Sequence, residues 1–165
     1  MVRRSEELRV DERFREVIEY ALSELERLLG DDLISVVLFG SVARGDFREG
    51  SDIDILVVAR SFPKSYSRRI SLLVPIAEGA RRRVPEHPIQ FYPLRVDEAS
   101  KTRPIYLDLL TDSVILYDRD GFMQGVLRDL SERLAKLGAK KVRLEDGSWM
   151  WVLKPGLRVG EVIDI

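Results

Sequence analysis

The stretch 36–58, V-V-L-F-G-S-V-A-R-G-D-F-R-E-G-S-D-I-D-I-L-V-V, constrains what this chain can fold into more than any other. Val36, Val37, Leu38 and Phe39 form a β-branched and aromatic run that stops at Gly40 and Ser41. A second apolar run, 53–58, follows a loop rich in Gly, Asp and Arg. The pattern predicts strand, turn, loop, strand, because β-branched and aromatic residues suit a pleated surface while Gly and Asp interrupt one. Two carboxylates, Asp52 and Asp54, stand at the entrance to the second strand.

Side chains two apart on a strand share a face, so Asp52 and Asp54 project together while Ile53 and Ile55 project to the other side. Two unit charges about 6 Å apart at an effective dielectric of about 20 repel by about 3 kcal/mol, less where solvent reaches them. A divalent cation removes that repulsion. An all-oxygen pair suits Mg²⁺, or Mn²⁺, which binds through one or two carboxylates together with substrate phosphate oxygens. Gly40 would let backbone approach a phosphate closely, and Ser41 with the N–H groups after it can donate to one. A short helical turn at Val42, Ala43 and Arg44 would aim its N-terminus at the anion, with Arg44 and Arg48 adding positive charge.

These residues carry a family likeness. L-F-G-S, then D-I-D-I with ten residues between Ser41 and Asp52, resembles the signature of the DNA polymerase β-like nucleotidyltransferase superfamily. G-S-V-A-R-G-D and S-D-I-D resemble its minimal nucleotidyltransferases more closely. The resemblance implies an α+β polymerase β-like core with Asp52 and Asp54 as catalytic metal ligands. It also implies Gly40, Ser41, Arg44 and Ser51 on the nucleotide, ATP or another NTP as substrate, and transfer of a nucleoside monophosphate with pyrophosphate release.

Composition narrows the remaining classes. At 165 residues the chain makes one ordinary domain, and a net charge of −1 provides no global positive field for RNA, which is therefore disfavoured as a partner. No apolar run approaches membrane-spanning length and the charged N-terminus lacks a signal-peptide core, so the expectation is a cytoplasmic protein without a membrane partner. Cysteine is absent, which excludes disulfides and thiolate metal sites, and His87 is the single histidine. Asn is also absent while a third of the residues are charged, the balance that hyperthermophile proteins tend to show.

In chain order, Asp11 is an expected N-cap for an amphipathic helix whose apolar positions, Phe14, Val17, Ile18, Ala21, Leu22, Leu25, Leu28 and Leu29, recur at three and four. A second helix is expected over 67–80, bent or interrupted by Pro75. Arg81, Arg82 and Arg83 close it, as caps or as phosphate contacts. The run H-P-I-Q-F-Y-P-L predicts a third strand over 88–93. The family places a third carboxylate there, but the alignment of I-Q-F-Y puts Gln90 at that position. Glutamine has no charge and cannot act as a base. Asp97, Glu98 and Asp108 are the alternative sources, and His87 is expected to be a loop residue.

Helical segments are expected from Asp97 to Leu110 with a break at Pro104, then a strand over 113–117, then a helix with apolar positions Met123, Val126, Leu127, Leu130, Leu134 and Leu137, stopped by Gly138. A hairpin around Asp146 and Gly147 follows, with Trp149 and Trp151 on one face and both expected to be buried against the last helix. The segment resembles the ends of archaeal nucleotidyltransferase-like proteins. The whole reads as a nucleotidyltransferase core over 1–121 and a helix and β-hairpin over 122–165 packed on it. Two functions stay open: an enzyme acting on a small-molecule or protein acceptor, or a nucleotide-binding protein with a HEPN-type partner, as in an antitoxin. A homo-oligomer is compatible with either.

Overall fold

The computed structural model describes residues 10–147, 149–156, 158 and 161. Helix α1, Glu12–Leu29, begins at Asp11, whose side chain accepts from the Arg13 N–H, and ends at Gly30. Its Phe14, Val17, Ile18, Ala21, Leu22 and Leu25 are buried, as the three-four spacing requires, whereas Leu28 stays exposed. A turn of 3₁₀ helix, Gly30–Asp32, leads into β1, Leu33–Phe39, every residue of which is buried. Then come α2, Gly40–Arg44, β2, Ile53–Ala59, α3, Tyr66–Arg81, and β3, Ile89–Arg95. The second half comprises α4, Val96–Ala99, α5, Ile105–Asp112, β4, Val114–Asp118, α6, Phe122–Leu137, and the pair β5, Lys140–Arg143, and β6, Trp149–Val152.

Four strands form a mixed sheet in the order β3-β2-β1-β4, antiparallel except for the parallel β2–β3 pair. Period-two alternation divides β2 between two cores. Ile53, Ile55 and Val57 pack with Phe14, Ile18 and Leu73 from α1 and α3, while Leu56 and Val58 pack with Tyr106, Leu109, Met123 and Leu130 from α5 and α6. Asp54 lies on the α5 side of the sheet, one step outside that second core. The fold is thus the mixed sheet with helices that the sequence predicts. No helix among the described residues is long and apolar enough to cross a membrane.

Two expectations are corrected here. Helix α3 is not interrupted at Pro75: the ring lies on the exposed side and the helix continues to Arg81, the buried Leu73, Ile76 and Ala80 holding its inner face. Trp149 is not buried. It is 58% exposed at the outer end of the hairpin, flanked by Lys141 and Arg143, whose charges lie 5.4 and 5.8 Å from its ring centre. Trp151, two residues nearer the body, does pack against the second core.

Candidate active site

Strand register brings the motif together. Phe39, the last residue of β1, pairs with Asp54, and on the other side Asp54 pairs with Gln90 of β3. Gly40 therefore follows Phe39 directly over the Asp54 carboxylate. Its φ of +75° is a left-handed conformation natural to glycine, and a Cβ built there would lie 2.3 Å from Asp54 Oδ2. Only a residue without a side chain lets backbone and carboxylate come this close. After Gly40 the chain turns through α2, and Ser41 O accepts from the N–H groups of Gly45 and Asp46 at 2.9 and 3.1 Å.

The carboxylates differ in environment. Asp52 is exposed and precedes the strand, whereas Asp54 is partly buried within it. Burial, and then the charge of Asp52, push the Asp54 carboxyl up to about 6, with the Arg44 guanidinium opposing. A partly buried carboxylate whose proton affinity is raised by burial and a charged neighbour is suited to a cation, and the oxygen-only donor set fits Mg²⁺ or Mn²⁺. Among the described residues no cluster of three or more His, Asp or Glu side chains could hold a metal. Such an ion would rest on Asp52, Asp54 and substrate oxygens.

Arg44 sits among several acids. Its Nε donates to both oxygens of Asp46, at 3.1 and 3.2 Å, and its charge reaches Asp54 and Asp112. Ser51 closes its own turn: its Oγ accepts from the Arg48 N–H at 2.8 Å and its N–H donates to Arg48 O at 3.0 Å. Gln90 is exposed beside Asp54, where the family alignment of I-Q-F-Y puts it.

Of the alternative acids, Glu98 and Asp97 are engaged elsewhere. Glu98 pairs with Arg69 and takes the Arg95 N–H at 3.0 Å, contacts that hold its carboxyl down at about 2, the Arg69 hydrogen bonds contributing most. Asp97 pairs with Arg95, and Asp108 is exposed on α5. Arg82 and Arg83 turn back onto the carbonyls of Glu78 and Gly79, which is the capping role. His87 lies in the loop before β3.

Two residues near the motif were absent from the sequence reading. Tyr92, two positions after Gln90 and so on the same face, meets Phe39 edge-on at 5.1 Å; burial and the charge of Asp54 push its phenol up, keeping it a donor. Alternation along I-Q-F-Y could have found it. Asp112, at the end of α5, accepts from Lys141 Nζ at 2.8 Å. Burial opposes its ionisation, but Lys141, Thr111 and Arg44 outweigh that and lower its carboxyl. Nothing local in the sequence links Asp112 to α2.

Comparison with known proteins gives a consistent answer. The "Nucleotidyltransferase domain" family matches residues 18–110, more than half of the chain. The chain is 31% identical over 125 residues to "Putative protein adenylyltransferase MJ1305" of Methanocaldococcus jannaschii, covering 73% of this chain and 83% of that protein. A second protein of that organism, "Putative protein adenylyltransferase MJ0141", is 42% identical over 48 residues, 29% of this chain and 48% of its own. In three dimensions, one chain of a crystal structure of a toxin–antitoxin with AMP-PNP shares the fold, with a TM-score of 0.50 and 19% identity, covering 73% of this chain and 92% of the other. With a family match across β1, β2 and β3 and a 31% identical relative over most of its length, the chain belongs to the nucleotidyltransferase domain family.

Proposed function

We propose that this protein transfers AMP from ATP to a hydroxyl on another protein, releasing pyrophosphate, in a reaction that depends on Mg²⁺ or Mn²⁺. The observation that carries this reading is the packing of Gly40 directly on Asp54, which sets a phosphate-accessible turn against a paired carboxylate. A protein as acceptor is supported by the likeness to MJ1305.

In this reading Gly40 and Ser41 receive the triphosphate, and the absence of a Cβ at Gly40 leaves room for its oxygens. Asp52 and Asp54 would hold the divalent ion, which when bound supplies positive charge for the phosphate oxygens and the departing pyrophosphate. Asp54 must be ionised to serve, so ligand binding displaces the proton it holds up to a pH of about 6. Arg44 offsets charge developing on the phosphate. Tyr92 stays protonated beside the pair and donates rather than accepts. In-line displacement at the α-phosphorus then rests on positioning and electrostatics.

Gln90 supplies no base, so the incoming hydroxyl loses its proton without help at that position. General bases contribute about 10²- to 10⁴-fold, which makes slow transfer the expected behaviour. The exposed Gln90 beside Asp54 also favours a second reading, a nucleotide-binding protein whose main task is to engage a HEPN-type partner; the shared fold with a chain of a toxin–antitoxin structure agrees with it. Label transfer from α-labelled ATP to a panel of proteins, helical HEPN proteins included, separates the two. Covalent label that disappears in Asp54→Asn supports the enzyme. Tight ATP and partner binding without label supports the binding protein.

A further inference from the structure

We infer that His87 is a positioning residue that fixes the backbone on which Asp52 stands. Asp54 lies inside the β2 ladder, held in register between Phe39 and Gln90. Asp52 precedes Ile53, the first ladder residue, so the sheet itself does not fix it. The chain is held on the Ile53 side by the first bond of the β2–β3 ladder and on the Ser51 side by the loop entering β3. His87 Nδ1 lies 2.8 Å from Ser51 O, and Ile53 N–H donates to Pro88 O at 2.9 Å. Two successive residues thus hold the chain on either side of Asp52.

The chemistry of the pair settles the proton. A carbonyl oxygen only accepts, so His87 carries its hydrogen on Nδ1. The ring is oriented by edge-on contacts with Phe14 at 5.0 Å and Phe47 at 6.2 Å between centres. Phe47 belongs to the same loop as Asp52 and meets Phe14 of α1 at 4.8 Å, with the Arg13 guanidinium 4.6 Å from its ring centre. Helix α1, the loop before Asp52 and the loop before β3 therefore converge on one imidazole. Its hydrogen bond sets where the outer carboxylate of the pair stands relative to Asp54.

This inference rests on the proposed use of Asp52 as a metal carboxylate, but the clamp itself is read out separately. Asparagine places an amide nitrogen close to where Nδ1 sits, while glutamine carries it one methylene further along. His87→Asn and His87→Gln, similar in polarity and size, are compared by amide exchange at Ile53 and by calorimetric binding of Mn²⁺ with α,β-methylene-ATP, which cannot release pyrophosphate. His87→Asn should remain within threefold of the wild type in both. His87→Gln should exchange Ile53 about tenfold faster and bind about tenfold more weakly, with the amide of Leu56 unchanged. Equal behaviour of the two variants, or better retention by glutamine, overturns the inference. If the wild type binds no Mn²⁺ nucleotide, the proposed function fails, and the Ile53 exchange pattern still decides the clamp.

Discussion

Replacing Asp54 with asparagine should stabilise the ligand-free protein at neutral pH, although it removes a residue at the centre of the site. The Asp54 carboxyl is held up at about 6 against an ordinary 3.8, by burial first and by Asp52 second. The folded chain therefore keeps a proton that the unfolded chain has lost between those values. Stability from this group is fully present below pH 3.8 and declines as pH rises through 6, after which the whole cost persists. At 1.36 kcal/mol per pH unit the gap amounts to about 3 kcal/mol. Asp54 is only partly buried, and solvent screening reduces that to about 1–2 kcal/mol. For a chain of this size the variant should melt about 3–6 °C higher than wild type at pH 7.5 and within about 1 °C of it at pH 4. Melting curves with excess Mg²⁺ and ATP should reverse the order, because only the wild type gains. An Asp54→Asn protein that melts lower at pH 7.5, or that shows the same difference at both pH values, would mean that the surroundings of Asp54 do not hold its proton.

Other substitutions test neighbouring parts of the account. Gly40→Val should weaken ATP binding by at least tenfold and lower the melting temperature, since its Cβ would meet Asp54 Oδ2 at 2.3 Å, whereas Arg82→Ala should leave calorimetric binding within twofold. Gln90→Asp restores an anion beside Asp54 and should raise metal-dependent label transfer or, failing that, tighten Mn²⁺ binding; no change in either would remove Gln90 from the site. Arg69 is 2% exposed and donates to Glu98 and to the carbonyls of Pro63, Lys64 and Pro93, so Arg69→Met should cost about 3 kcal/mol in denaturant unfolding by leaving those acceptors unmatched.

How far the sequence reveals this protein depends on whether the forces involved are local. The apolar runs 36–39 and 53–58 are a local signal, and the strands and the side of β2 that Asp54 takes follow from them, whereas Gln90 beside Asp54 follows from the family alignment of I-Q-F-Y. The helix α1 face is legible for the same reason. Pro75 shows the limit of local propensity: a proline costs a helix one hydrogen bond and a steric clash, yet the buried side of α3 holds the helix together. Trp149 shows the limit of hydropathy, because whether a tryptophan is covered depends on what packs against the hairpin, which no spacing encodes. The burial of Arg69 is equally illegible. In the sequence it is one of two adjacent arginines on a charged helix, and only the fold gathers acceptors from three segments around it. Asp112 and the His87 clamp depend on contacts between distant segments, so the outer surroundings of the motif emerge only in three dimensions.

Gly40, Asp52 and Asp54 are proposed as one metal–nucleotide site whose inner carboxylate must lose a proton to work. Calorimetric titration of Mg²⁺ and α,β-methylene-ATP in two buffers of different ionisation enthalpy, at pH 6 and pH 8, tests it most directly. About half a proton should be released at pH 6 and almost none at pH 8, with Asp54→Asn binding weakly and releasing none. Binding that carries no proton signal at pH 6, or that survives unchanged in Asp54→Asn, would contradict it.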